Sequence, residues 1–203
     1  MTGIRMRRAA RAGLAGLAIG AALLLVGCTN EPLAKQYQAG DSKNYIAGDG
    51  TVTEVDAGSR QQPVDFAGTT AEGNAVSQAD YEGQVVVLNF WYASCAPCRV
   101  EAPDLAELSA KYDGKGASFL GVNVRDQSPQ AISFEQKYGI EYPSVIDTDG
   151  AMQLAFSGEV SPNAVPTTLV IDKEGRVAAR ILGRVSEPSI LDTLIRDTID
   201  ETS

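Results

Sequence analysis

VVVLNFWYASCAPCRVEAP, Val85 to Pro103, sets an apolar run, a Cys-Ala-Pro-Cys and a helix start one after another. Val85–Phe90 is apolar apart from Asn89, as a parallel strand covered on both faces should be. Cysteines at i and i+3 fit a first helical turn, where unsatisfied N–H groups and the positive end of the helix dipole favour a thiolate. Pro97 supports the helix start, because its fixed φ suits that turn and its missing N–H costs little there. Cys95 is therefore the candidate nucleophile. Cys98 stands where it can attack a mixed disulfide on Cys95 and release a reduced partner.

Other uses of a Cys-x-x-Cys are poorly served. A structural zinc site needs about four ligands, and the chain has three cysteines and no histidine. Covalent haem attachment needs histidine after the second cysteine, and position 99 is Arg. A purely structural disulfide over so short a loop removes little chain entropy. A redox dithiol remains, with neither metal nor cofactor expected.

FWYASCAPC after an apolar strand, with Val165-Pro166-Thr167-Thr168 downstream, resembles the thioredoxin superfamily, and within it the membrane-anchored TlpA/ResA-like thiol-disulfide oxidoreductases. The similarity spans roughly residues 62–199. It implies an α/β thioredoxin fold, a central mixed β-sheet flanked by helices, with an N-terminal β-hairpin and an inserted helix and strand.

The 203 residues suit one domain behind a targeting segment. Residues 1–27 carry Arg5, Arg7, Arg8 and Arg11, no acid, and then a small, apolar run, the layout of a secretory signal peptide. Leu25-Val26-Gly27-Cys28 resembles a bacterial lipobox, which would make Cys28 the lipidated first residue; the alternative is an uncleaved signal anchor. Either reading places the domain outside the cytoplasm and tied to the cell membrane. Residues 28–59 read as a flexible tether rich in Gly, Asp, Ser, Asn and Gln, and residues 60–203 as the thioredoxin-like domain. Without residues 1–27 the chain has 13 basic against 26 acidic residues, which argues against nucleic acid as a partner.

Thr51–Val55 alternates and is expected to form an edge strand paired with Val64–Phe66. A helical turn over 78–83, the strand Val85–Phe90, a helix from Cys95 to Tyr112 containing Pro103, and a strand from Ser118 to Val124 follow. Ser128-Pro129 reads as an N-cap and first-turn proline before a helix to Tyr138, ended by Gly139; this helix and Ser144–Ile146 match the inserted unit. Asp147-Thr148-Asp149-Gly150 lacks the remaining ligands of a calcium loop and reads as a turn. A short helix over 151–156, a hairpin of 167–171 with 177–181, and a last helix over 187–198 burying Ile190, Leu191, Leu194 and Ile195 complete the chain.

The resemblance implies further site residues. The Val165-Pro166 bond is expected to be cis and to face the dithiol, with Val165 and Pro166 presenting backbone to a substrate. Trp91 is expected beneath the dithiol and is grouped with these substrate-binding residues. Plain thioredoxin has a buried Asp where this chain has Asn89, which cannot take a proton. Glu101, one helical turn beyond Cys98, matches the glutamate of the TlpA/ResA pattern and is the candidate for thiol tuning and proton transfer; otherwise it is a solvated helix glutamate. Arg99 either stabilises the Cys95 thiolate or is solvated. Ser94 replaces a common aromatic residue.

The expected protein is a monomeric, lipid-anchored, extracytoplasmic protein-disulfide reductase. The resemblance implies clients such as apocytochrome c in cytochrome c maturation and electrons from a membrane thiol reductase. The alternatives are an oxidant that forms disulfides in secreted proteins and a non-catalytic binding lipoprotein. A thiol peroxidase is disfavoured, because Trp91–Ser94 lacks the pattern such an enzyme needs before its cysteine.

Overall fold

The computed structural model describes residues 51–161 and 164–201. Strands β1 (Val52–Glu54), β4 (Val85–Trp91), β5 (Ala117–Asn123), β6 (Ser144–Ile146), β7 (Thr167–Ile171) and β8 (Val177–Leu182) form one mixed sheet in the order β1-β8-β7-β4-β5-β6. β4, β5 and β6 run parallel to their neighbours in that group, whereas β7 is antiparallel to both β4 and β8. The expected signal peptide (residues 1–27), Cys28 and residues 29–50 of the expected tether lie outside the described residues. Among the described residues no helix is long and apolar enough to cross a membrane.

The period of two along β4 creates the layers. Val85 and Val87 pack with Leu105, Leu108 and Tyr112 of α1 (Ala96–Tyr112) and with Leu191, Leu194 and Ile195 of α4 (Pro188–Asp200). Val86, Leu88 and Phe90 face the other way, onto Phe66, Met152 and Phe156. Every residue of β4 is buried, which explains why its sequence shows no polar face. Each fully buried aliphatic side chain of this kind contributes about 1.5–3 kcal/mol.

α1 buries Cys98, Glu101, Ala102, Leu105, Leu108 and Tyr112, a stripe at three- and four-residue steps. α2 (Ser128–Tyr138) ends at Gly139, whose φ of 69° is left-handed and whose N–H donates to the Glu135 carbonyl. Its N-cap is Gln127, so Ser128 and Pro129 both stand one position further into the helix than their pattern suggested. The acidic turn after β6 is a cap for α3 (Ala151–Ala155): the Asp147 carboxylate accepts the N–H groups of Met152 and Gln153 at 2.8 and 3.0 Å.

Three expectations change. β1 pairs with β8, Val52 opposite Ile181, and not with residues 64–66; the N-terminal hairpin is β2 (Ala67–Thr69) with β3 (Ala75–Ser77). Residues 52–54, assigned by sequence to the tether, are therefore part of the main sheet. Arg60 fastens the same region, meeting Asp172 at 2.9 Å and Glu201 at 2.6 Å with its own side chain 2 % exposed. Ile190 is exposed, since α4 turns Leu191, Leu194, Ile195 and Thr198 inward instead.

Gly121 of β5 is enclosed by the Ser144 hydroxyl and the Trp91 indole, both of which an added Cβ would overlap. Gly121→Ala is expected to lower stability by about 1–3 kcal/mol through overpacking, read as a lower denaturant midpoint with changed Trp91 fluorescence.

Candidate active site

The carboxyl ends of β4 and β5, the start of α1, the loop before β7 and the loop after β8 converge on Cys95 and Cys98. Cys95 is the N-cap of α1, one position before the first turn, and its Sγ accepts the Cys98 N–H at 3.2 Å. An N-cap acceptor satisfies a helix donor that otherwise lacks a partner. The two cysteines form a disulfide with Cα atoms 5.3 Å apart. Both are buried in this disulfide form, at 3 % and 2 % exposure. The neighbours Ser94, Ala96, Pro97, Arg99 and Val100 are exposed and form the surface around the bond.

The face opposite Val86, Leu88 and Phe90 also carries Asn89 and Trp91, and strand parity directs both toward α1. Asn89 Nδ2 donates to Glu101 Oε1 at 3.0 Å and to Thr168 Oγ1 at 3.1 Å, Thr168 being its register partner on β7. Glu101 Oε2 accepts the Val185 N–H at 2.8 Å. Glu101 is fully buried, which rules out the solvated alternative. Burial pushes its carboxyl up to about 7, against the opposing effect of the Val185 and Asn89 hydrogen bonds and the Arg184 charge. A cavity of about 10 Å³, room for about one water molecule, is lined by Cys98, Asn89, Trp91 and Tyr142 among others.

Trp91 is 3 % exposed and packs in one cluster with Cys95, Cys98, Ala102 and Phe134. Its ring lies 4.3 Å from that of Phe134, and its Nε1 donates to Ser144 Oγ at 3.3 Å. Trp91 therefore supports the disulfide from beneath, and burial removes it from the surface a substrate would touch. Val165 is half-buried against the same cluster, and the Val165-Pro166 peptide is cis. The Pro166 carbonyl accepts the Gly183 N–H at 2.9 Å, which ties this loop to the end of β8.

Two acids were not singled out in the sequence. Asp126 Oδ2 accepts the Ala93 N–H at 2.5 Å and an Asn123 amide N–H at 3.0 Å, bracing the loop that leads into Cys95. Glu135 is buried beside Ser144; desolvation raises its carboxyl, and Oε1 has no hydrogen-bond partner. Neither position carries a local motif. Glu101 did carry a signal, its place in the stripe 98, 101, 105, 108 of a helix. Among the described residues no group of three acids or cysteines is arranged to hold a metal ion.

A sequence profile described as the AhpC/TSA family matches residues 60–180. The thiol-disulfide oxidoreductase ResA of Bacillus subtilis is 34% identical over 131 residues, covering 64% of this chain and 71% of that protein. Among solved structures, a secreted thiol-disulfide isomerase from Corynebacterium glutamicum is similar at 34% identity and a TM-score of 0.69, over 79% of this chain and 99% of that one. A DsbF homologue from Corynebacterium diphtheriae is similar at 36% identity and a TM-score of 0.66, over 78% and 99%.

Glu101 makes stability depend on pH. Its folded-state value of about 7 lies above the ordinary 4.5, so between these values the folded chain holds the proton more tightly than the unfolded one. Stability is accordingly greatest below this window and falls as pH rises through it, by roughly 3 kcal/mol at most. Denaturant titrations of the oxidised chain from pH 4.5 to 8 are expected to show this fall, and Glu101→Gln to flatten it.

Proposed function

Because the chain belongs to the AhpC/TSA family and is a ResA-like thiol-disulfide oxidoreductase, we propose that its Cys95–Cys98 pair reduces client disulfides outside the cytoplasm. In this reading the Cys95 thiolate attacks one sulfur of the client disulfide, and the other leaves as a thiolate. The Cys98 thiolate then attacks Cys95 Sγ and displaces the second client thiolate. Two electrons pass to the client, and the chain is left with its own disulfide. The observation that carries Cys95 as the attacking sulfur is the Cys98 N–H donated to it at the helix N-cap, an arrangement that favours negative charge there; the reducing direction is proposed from the likeness to ResA.

Glu101 is assigned the tuning of Cys98. A buried carboxylate one helical turn from the resolving thiol, on the same buried face of α1, disfavours its thiolate, whereas the neutral acid does not, so a group poised near 7 can follow the proton that Cys98 gives up. Val165 and Pro166 are assigned to the client's backbone, at the rim of the disulfide cluster.

The N-terminal sequence supports the cellular setting of this reading, with residues 1–27 as a signal and Cys28 as the lipid-bearing residue; a membrane thiol reductase is assigned as the source of electrons by the resemblance to TlpA/ResA-like proteins. Apocytochrome c is the client class proposed, by likeness to the reductases of this kind. The relative described as a secreted isomerase favours a second reading, in which the same pair forms or rearranges disulfides in secreted proteins.

The reduction potential of the full chain, titrated against dithiothreitol or glutathione with Trp91 emission as the signal, separates the two. A value near about −270 mV is expected for the reductase, and one near about −120 mV would transfer the assignment to an oxidant. Cys98→Ser is expected to accumulate a mixed disulfide with client on gels. Glu101→Gln is expected to slow the resolving step by about 10²-fold and to remove an inflection near pH 7 from its rate.

A further inference from the structure

The described domain is poor in positive charge, and what it has is unevenly used. Residues 51–203 contain 11 basic and 23 acidic residues. Among the described residues, Arg60, Lys111, Arg176, Arg180 and Arg196 pair with carboxylates. Lys115 and Lys173 donate to backbone carbonyls. Arg99, Arg125, Lys137 and Arg184 remain without a carboxylate at salt-bridge distance, and all four belong to the segments around the disulfide.

Arg99 follows Cys98 directly. The Arg125 guanidinium lies 3.9 Å over the Tyr92 ring, on the loop that leads to Cys95. Arg184 precedes the Val185 whose N–H reaches Glu101. Lys137, exposed on α2, shares with Arg99 an open groove of about 480 Å³ whose wall includes Ala93, Ser133, Phe134 and Tyr138. No acid lines this groove. Asp126, the nearby acid, directs Oδ2 to the Ala93 N–H and the Asn123 amide. Val100, 56 % exposed, adds an apolar patch beside Arg99.

We infer that the groove between Arg99 and Lys137 seats a client segment with carboxylates flanking its disulfide. The inference rests on the disulfide-exchange reading above and specifies which disulfides react fastest. Charge complementarity carries it: an acidic body repels acidic chains in general, and among the described residues the cations around the reacting sulfur are the ones on this rim that lack a carboxylate partner. Seating a carboxylate between Arg99 and Lys137 brings the adjoining disulfide to Cys95. The exchange is otherwise unchanged: one client S–S bond breaks, the Cys95–Cys98 bond forms, and two electrons go to the client.

The test uses the full chain, reduced and freed of reductant, and follows Trp91 emission after mixing with disulfide peptides of one length. Their flanks are Asp/Glu, Asn/Gln or Lys. Each rate is divided by that of dithiothreitol with the same peptide, which corrects for the effect of the flanks on the disulfide itself. The acidic peptide is expected to react about 10-fold faster than the amide peptide at low salt, and the ratio to approach one at about 0.5 M salt. Lys137→Glu, a surface change, is expected to abolish or invert that ratio while the amide peptide keeps its rate. Arg99→Gln is expected to lower the ratio as well; a role in thiolate stabilisation would slow all peptides alike and leave the ratio standing. Reaction with the amide peptide but no acidic preference, or a preference indifferent to salt and to Lys137→Glu, overturns the inference and spares the redox reading. No reaction with any peptide overturns both.

Discussion

A carboxyl group without exposed surface lies one helical turn beyond Cys98, and much of the molecule is arranged to make that position tenable. Burying such a group without partners costs several kcal/mol. Here Asn89 from β4 and the Val185 N–H from the loop after β8 each donate to one Glu101 oxygen, and Thr168 of β7 orients the asparagine. One side chain thus ties together α1, two central strands and a loop. The arrangement also fixes register: a shift of one residue along β4 would bring Leu88 or Phe90 to Glu101 and turn Asn89 into the opposite apolar layer.

Above that network the disulfide rests on an aromatic floor of Trp91 and Phe134, with rings 4.3 Å apart. Asp126 holds the approach to Cys95, and the Pro166 carbonyl holds the facing loop against the end of β8. These supports come from separate elements that meet only at the carboxyl end of the central strands. The helix N-cap can therefore present sulfur while the chain on either side of it stays fixed. The surface around it differs in charge from the body, because the ion pairs of the domain gather its other cations elsewhere.

Much of this was legible in the chain. Apolar strands with period-two or continuous patterning, the stripe on α1, the left-handed Gly139 and the hairpin of β7 with β8 all depend on neighbours a few residues away. Their expected bounds agree with the structure to within two residues. The partner of β1 is not legible in this way: its pairing is set by Ile181, about 130 residues on, and three residues of alternation cannot specify so distant a contact. The buried side of α4 is ambiguous by one position for a similar reason: Ile190 and Leu191 are adjacent apolar residues, and the packing against β4 and α1 decides which one turns inward.

The chemistry at hand is local to the chain: a Cys-x-x-Cys at a helix start after an apolar strand, with no histidine for metal or haem. The three-residue step also puts Glu101 on the helix face that carries Cys98. The burial of this glutamate, and the rise of its carboxyl to about 7, come from packing between distant segments, since desolvation depends on what covers a group from all sides. The cis form of Val165-Pro166, the burial of Trp91 and the free cations of the rim are of the same kind. Each is a relation between segments distant in sequence, which no local pattern encodes.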